Sequence, residues 1–153
     1  MNGCLNMARM TIKGLDDLEI NLSKLDDSEI AKKCVYAGAK VIADEIRDRL
    51  KSNDTLEKEQ LRDLLDSLGV APILTDANGD VNTKIGFKGY GKKPTKKYPL
   101  GLPNQMMARA VESGTSFRPK RPFVRPAVNA KKKEALRAMQ ETYDKEIAKK
   151  LKK

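Results

Sequence analysis

Between Ile30 and Leu50 the residues Ile30, Cys34, Val35, Gly38, Val41, Ile42, Ile46 and Leu50 recur every three or four positions. That spacing lines one side of an α-helix of about six turns. Asp27 or Ser28 can cap it, and Glu29 in the first turn suits the positive end of the helix dipole. Lys32, Lys33, Lys40, Asp44 and Arg47 fall on the outward side. Gly38, flanked by Ala37 and Ala39, thins the apolar stripe, and a patch of small residues lets another backbone come close. A long helix with one apolar face must pack on something, and the expectation is that it lies across a sheet.

The material for a sheet lies downstream, where the period changes to two. Val70 to Leu74 is a strand candidate, and Pro72 within it indicates an edge or a bulge. Asp76-Ala77-Asn78-Gly79-Asp80 is a turn with Asn-Gly at its centre. Val81, Thr83, Ile85 and Phe87 then alternate with Asn82, Lys84, Gly86 and Lys88, the pattern of a half-buried strand. Residues 70–88 therefore read as a β-hairpin.

The remaining elements follow from the same signals. Arg9 to Lys13 could be a short edge strand, and residues 1–9 read as a flexible terminus. Leu15, Leu18, Leu22 and Leu25 make a narrow stripe on a short helix, with Asp16 and Asp17 in its first turn. Leu56, Gln60, Leu61, Leu64, Leu65 and Leu68 make another helix, opened by a capping box of Asp54 and Glu57 and closed by Gly69 at C′. Residues 88–104 hold three Gly, three Pro and five Lys, and read as the least structured stretch, a long basic loop. Gln105 to Ser113 could be a short helix or a strand. Residues 117–126 should be extended, because each residue before a proline is pushed out of the helical region. Pro126 can serve as N1 of a C-terminal helix over 127–151, striped by Val128, Ala135, Leu136, Met139, Tyr143, Ile147 and Leu151. The whole reads as a single α+β domain spanning the 153 residues, with long helices packed on a small antiparallel sheet.

Charge is unevenly distributed along this plan. Residues 1–83 carry 11 Lys/Arg and 16 Asp/Glu, whereas 84–153 carry 20 and 5, which together give the net +10. Such asymmetry suggests a polyanion or an acidic partner surface, although a merely solubilising face would show the same number. The two cysteines, Cys4 and Cys34, form no Cys-x-x-Cys pair; Cys34 reads as a small core residue, which favours a reducing cytoplasm. No apolar run approaches the roughly 18 residues of a membrane span, and the start lacks the features of a signal peptide.

The chain contains no histidine, so Ser-His-Asp, Cys-His and His-containing zinc sites are excluded. Gly86 to Lys93 follows a strand and matches Gly-x-x-x-x-Gly-Lys, but Lys93 stands where a phosphate-binding loop needs Ser or Thr, and Pro94 blocks the helix that must follow. The pairs Asp16-Asp17 and Asp26-Asp27 are adjacent and point apart, which suits helix ends better than acid/base chemistry. Glu112 is the only acid between Lys84 and Lys133; a salt bridge is its commoner role, a lone catalytic group the sharper one. No enzymatic centre and no cofactor or metal site is expected. Residues 84–126 hold eleven Lys/Arg and one acid. Lys88, Lys92, Lys93, Lys96 and Lys97 are candidates for a DNA-proximal or interface loop, since lysines contact phosphate without reading bases. Phe87 and Phe123 read as core anchors, leaving Tyr90, Tyr98 and Phe117, too few for a convincing single-strand platform.

Val111-Glu112-Ser113-Gly114-Thr115-Ser116 followed by Pro119-Lys120-Arg121-Pro122-Phe123-Val124-Arg125-Pro126-Ala127 resembles the "Val-Glu-x-Gly-Thr … Pro-x-Arg-Pro-Phe-hydrophobic-Arg-Pro-Ala" signature of the tail-completion, or head–tail joining, proteins of long-tailed bacteriophages. Ile12 to Leu18 resembles the opening of that family, and the order of elements is similar over about residues 10–150. The chain departs from many members of that family in having Ser113 where an aromatic is common, and in its lysine-rich 88–104 loop. The resemblance implies a structural virion protein of the neck, assembled in the host cytoplasm. It implies a homo-oligomer, a hexameric ring, between the head connector and the tail tube or tail terminator. Contact with packaged DNA would be nonspecific, and neither enzyme activity, cofactor nor membrane is implied. The residues assigned to structure and assembly are Gly114, Thr115, Arg121, Pro122, Phe123, Arg125 and Pro126. Gly114 can supply a positive φ, and Phe123 between two prolines can plug the core. The competing reading is a small cytoplasmic protein that binds nucleic acid without sequence preference.

Overall fold

The computed structural model describes residues 28–152. The expected strand at Arg9–Lys13, the Leu15–Leu25 helix, the acidic pairs Asp16-Asp17 and Asp26-Asp27, and Cys4 lie outside the described residues, as do the 1–9 terminus and the Ile12–Leu18 part of the resemblance. Helix α1 spans Ser28–Lys51 and α2 Lys58–Ser67. Strands β1 (Leu68–Val70), β2 (Leu74–Thr75), β3 (Val81–Asn82) and β4 (Ile85–Phe87) follow, then α3 (Asn104–Ser113) and α4 (Val124–Leu151). The class is α+β.

The stripe on α1 is buried at Ile30, Cys34, Gly38, Ile46 and Leu50, with Ala39 and Ala43 joining it. Its main partner is not the sheet but α4, which runs along it; the hairpin meets α1 through β1 and β3. Gly38 explains the preference. A Cβ there would lie 2.7 Å from both Cγ and Sδ of Met139 and 3.5 Å from the Ala135 carbonyl oxygen, so the small-residue patch is the notch that receives α4. Lys33 Nζ donates to Glu146 at 2.6 Å, tying the far half of α4 to the start of α1.

The hairpin forms as the alternation requires. Val81, Thr83, Ile85 and Phe87 are half-buried while their neighbours are exposed. β1 pairs antiparallel with β4 (Leu68↔Phe87, Val70↔Ile85) and β2 with β3 (Thr75↔Val81). Pro72 lies in the gap that splits the first arm, and Thr83 Oγ1 donates to the Ala71 carbonyl there at 2.7 Å. Asp76 Oδ1 accepts from the Asn78 and Asp80 amides, and Gly79 turns the chain at φ 85°.

Several boundaries differ from the sequence reading. No Asp54–Glu57 capping box forms: Asn53 Oδ1 accepts from the Thr55 amide and hydroxyl instead, and Glu57 stands at the N-cap without a side-chain bond. Gly69 stands at C′, after the C-cap Leu68, but without the positive φ of a capping glycine, because α2 passes straight into β1 and Gly69 pairs with Gly86. Gln105–Ser113 is helical and begins at Asn104. The C-terminal helix begins at Val124, three residues before 127, so Pro126 is its third residue and not N1. The core gathers where the elements converge: Ile46, Leu50, Leu64, Leu68, Ala108, Val111, Phe123 and Ala127.

The 88–104 loop is ordered. Gly91 N donates to Leu102 O at 2.8 Å and Asn104 N to Gly89 O at 3.0 Å, closing a neck. Across it a Cβ on Gly101, whose φ is +96°, would sit 1.9 Å from the Gly91 carbonyl oxygen. At the tip Thr95 and Tyr98 exchange backbone bonds of 2.9 and 3.1 Å. Backbone pairing between residues distant along the loop does what no apolar run could do here.

Candidate assembly site

The two halves of the 111–127 motif meet in one device built on Glu112. Helix α3 buries Val111 in the core and turns the next residue, Glu112, toward the start of α4. Glu112 Oε2 accepts from Phe123 N at 2.7 Å and Val124 N at 2.9 Å, and Oε1 from Arg125 N at 3.0 Å. The first amides of a helix have no partner within it. In α4 the N-cap residue is Phe123, whose side chain has no oxygen to offer. Glu112, eleven residues upstream, takes over that task, and its charge sits at the positive end of the helix dipole. Pro126 has no N–H to satisfy, and Ala127 N reaches Phe123 O at 3.3 Å. Every donor at this helix end is thus accounted for. The clamp also holds Arg125 helical before a proline, against its local preference.

Burial pushes the Glu112 carboxyl up. The amides of Val124, Arg125 and Phe123, with the charge of Arg125, outweigh that and hold it below the usual carboxylate range. Phe123 is 2% exposed and meets Phe87 edge-on, with ring centroids 6.0 Å apart, so the same residue fastens the sheet to the helix end.

Between the two halves the chain makes a projection. Gly114 leaves α3 at φ 77°, where a Cβ would lie 2.9 Å from Lys120 N. Arg121 N then returns to Val111 O at 2.8 Å. Thr115 and Arg118 bridge to form a tight turn with Ser116 and Phe117 at its tip. Arg118 reaches Gln60 Oε1 on α2 at 3.2 Å, and its other terminal nitrogen is buried without a hydrogen-bond partner. The Arg121 guanidinium stands 3.8 Å from Asp54, an exposed and therefore weak pair. Arg125 and Pro122 are exposed.

The five lysines of the loop separate into two groups. Lys92 and Lys93 turn to acids on α2: the Lys92 amide donates to Asp63 Oδ2 at 3.0 Å, and Lys93 Nζ pairs with Glu59 at 2.7 Å, which raises the Lys93 pKa. Lys88, Lys96 and Lys97 are also exposed, with Lys97 Nζ 5.7 Å from the Tyr98 ring centre. Helix α2 thereby holds both projections, the loop through Glu59 and Asp63 and the Phe117 turn through Gln60. A cleft of about 220 Å³ lies between α2 and the loop, walled by Glu59, Asp63, Thr95, Leu102 and Met107.

The Gly86–Lys93 string leads from β4 into the loop neck, and the next helix begins only at Asn104. Among the described residues no three of His, Cys, Asp and Glu come together as a metal site, and no helix is long and apolar enough to cross a membrane. The role of Glu112 is what the residues alone did not reveal. The available signal was its place as the one acid inside a basic, proline-rich motif. No protein-family model, no curated protein and no solved structure matches the chain.

Proposed function

We propose that this protein is a structural adaptor of a phage neck, joining the head connector to the tail tube as a homo-hexameric ring. The observation that carries the reading is the Glu112 clamp. It makes the motif resembling the head–tail joining signature into one mechanical unit: an anchor at Phe123, a helix start, and a braced projection between them. Those residues serve to hold and to present, which is what an adaptor needs. Purified particles should contain the protein by mass spectrometry, and particles made without it should accumulate as separate heads and tails. Normal joined particles in its absence would remove the proposal. Replacing residues 94–99 with two glycines keeps the loop neck, and should leave a folded monomer that fails to join heads to tails.

A second reading, nonspecific nucleic-acid binding, is favoured by the exposed Lys88, Lys96 and Lys97. It predicts submicromolar DNA affinity at about 0.15 M salt with a steep salt slope. The adaptor predicts weak binding that salt removes.

A further inference from the structure

The turn between the motif's two halves carries the most exposed large apolar side chain among the described residues. Phe117 is 100% exposed. Its mount is stiff: the Thr115–Arg118 bonds are 2.9 and 3.2 Å, Gly114 tolerates no side chain, Pro119 follows, and Arg118 is held to Gln60. A Phe on such a backbone has only two torsions to lose on binding, so little entropy opposes its insertion into a partner. Between Glu112 and Glu134 the chain has no acid, while Arg118, Lys120 and Arg121 flank the ring.

We infer that Phe117 is the anchor of a protein–protein interface, and that it inserts into an apolar pocket rimmed by carboxylates on a different polypeptide. Charge selects the partner. The molecule carries a net +10, and its two larger apolar concavities have lysine rims, while the carboxylates of the smaller cleft between α2 and the loop, Glu59 and Asp63, are already engaged by Lys93 and Lys92. Lys132 borders the groove of about 410 Å³ between α1 and α4, and Lys84 and Lys88 border the one of about 430 Å³ on the hairpin. Seating the turn of a second copy in either would set like charges together. A nucleic acid fits less well, because base stacking wants successive aromatics on a platform. Phe117 stands alone on a two-residue tip, and the Tyr98 hydroxyl is bonded to the Met106 sulfur at 3.5 Å. The inference rests on the adaptor reading for where the partner is found, and on the turn itself for the chemistry.

Site-specific photo-crosslinking tests it. The full chain is made with p-benzoylphenylalanine in place of Phe117, or of Lys133 as control, in cells producing the particles. It is irradiated in cells and in purified particles, and the adducts are mapped by mass spectrometry. The expected result is one heterologous adduct, specific to position 117, in a peptide bearing Asp or Glu. Its yield should fall roughly tenfold when Lys120→Glu and Arg121→Glu are combined, since like charges at the rim slow encounter. An adduct with a second copy, an adduct with nucleic acid, indifference to the charge reversal, or no adduct overturns the inference. An acidic adduct in cells with the protein missing from particles keeps the anchor and removes the adaptor reading.

Discussion

Two stretches of this chain look alike on paper and are held by different physics. Residues 88–104 and 112–126 are both rich in Pro and cations. The second is fixed by a buried aromatic and a carboxylate that caps a helix. The first is fixed by a backbone neck, with ion pairs on the surface. Burial and clamped amides couple a segment to the whole fold, whereas a neck and exposed ion pairs order a segment locally. The motif should therefore fail together with the protein, and the loop should fail alone.

Substitutions can break that contrast, beginning where the largest effect is expected. Phe123→Ala should cost about 3–5 kcal/mol in urea unfolding, because it empties the core and strips Phe87 of its partner. Glu112→Gln should cost about 1–3 kcal/mol, since an amide cannot satisfy all three donors. It should also alter the acid limb. A carboxyl held low stabilises the fold above its unfolded pKa, and that stability is lost as pH falls through the folded value. The wild type should thus lose stability from about pH 5 downward, with the Glu112→Gln profile flatter there. Glu146, lowered to about 2 by Lys33 and Lys149, would leave a residual slope toward pH 2.

Gly101→Ala should disturb the neck by about 1–3 kcal/mol of backbone strain. Amide exchange should quicken at Gly91 and Asn104, with the urea midpoint moved far less than by Phe123→Ala. Equal loss throughout the protein would erase the proposed difference between the regions. Lys93→Ala should change stability by less than about 1 kcal/mol, because Lys93 and Glu59 are 71% and 64% exposed.

Local periodicity was enough to read α1, the hairpin and its Asn-Gly turn, and proline bracketing was enough to place Phe123 inside. Gly114 was legible because few residues accept its φ. What escaped was non-local. The Gly38 notch announces a close neighbour, but only packing shows it to be Met139 of α4 and not a strand. The loop's order depends on Gly91 meeting Gly101, a pairing with no apolar pattern. The start of α4 was misplaced because the rule against helical residues before proline is local, while the carboxylate that overrides it comes from another helix. Glu112 read as a salt-bridge residue for the same reason: its partners are amides, which every residue carries.

The clamp has one more consequence. Both ends of the 113–122 excursion are fastened by residues other than those at its tip: Glu112 and Val111 on one side, Arg121 and Phe123 on the other. Ser116 and Phe117 contribute nothing to that fastening and can be rewritten without refolding the rest. The protein thus separates a constant handle from an exchangeable bit. A lineage could retarget it to a new counterpart by changing two codons, and a designer could graft a short recognition sequence at the same position.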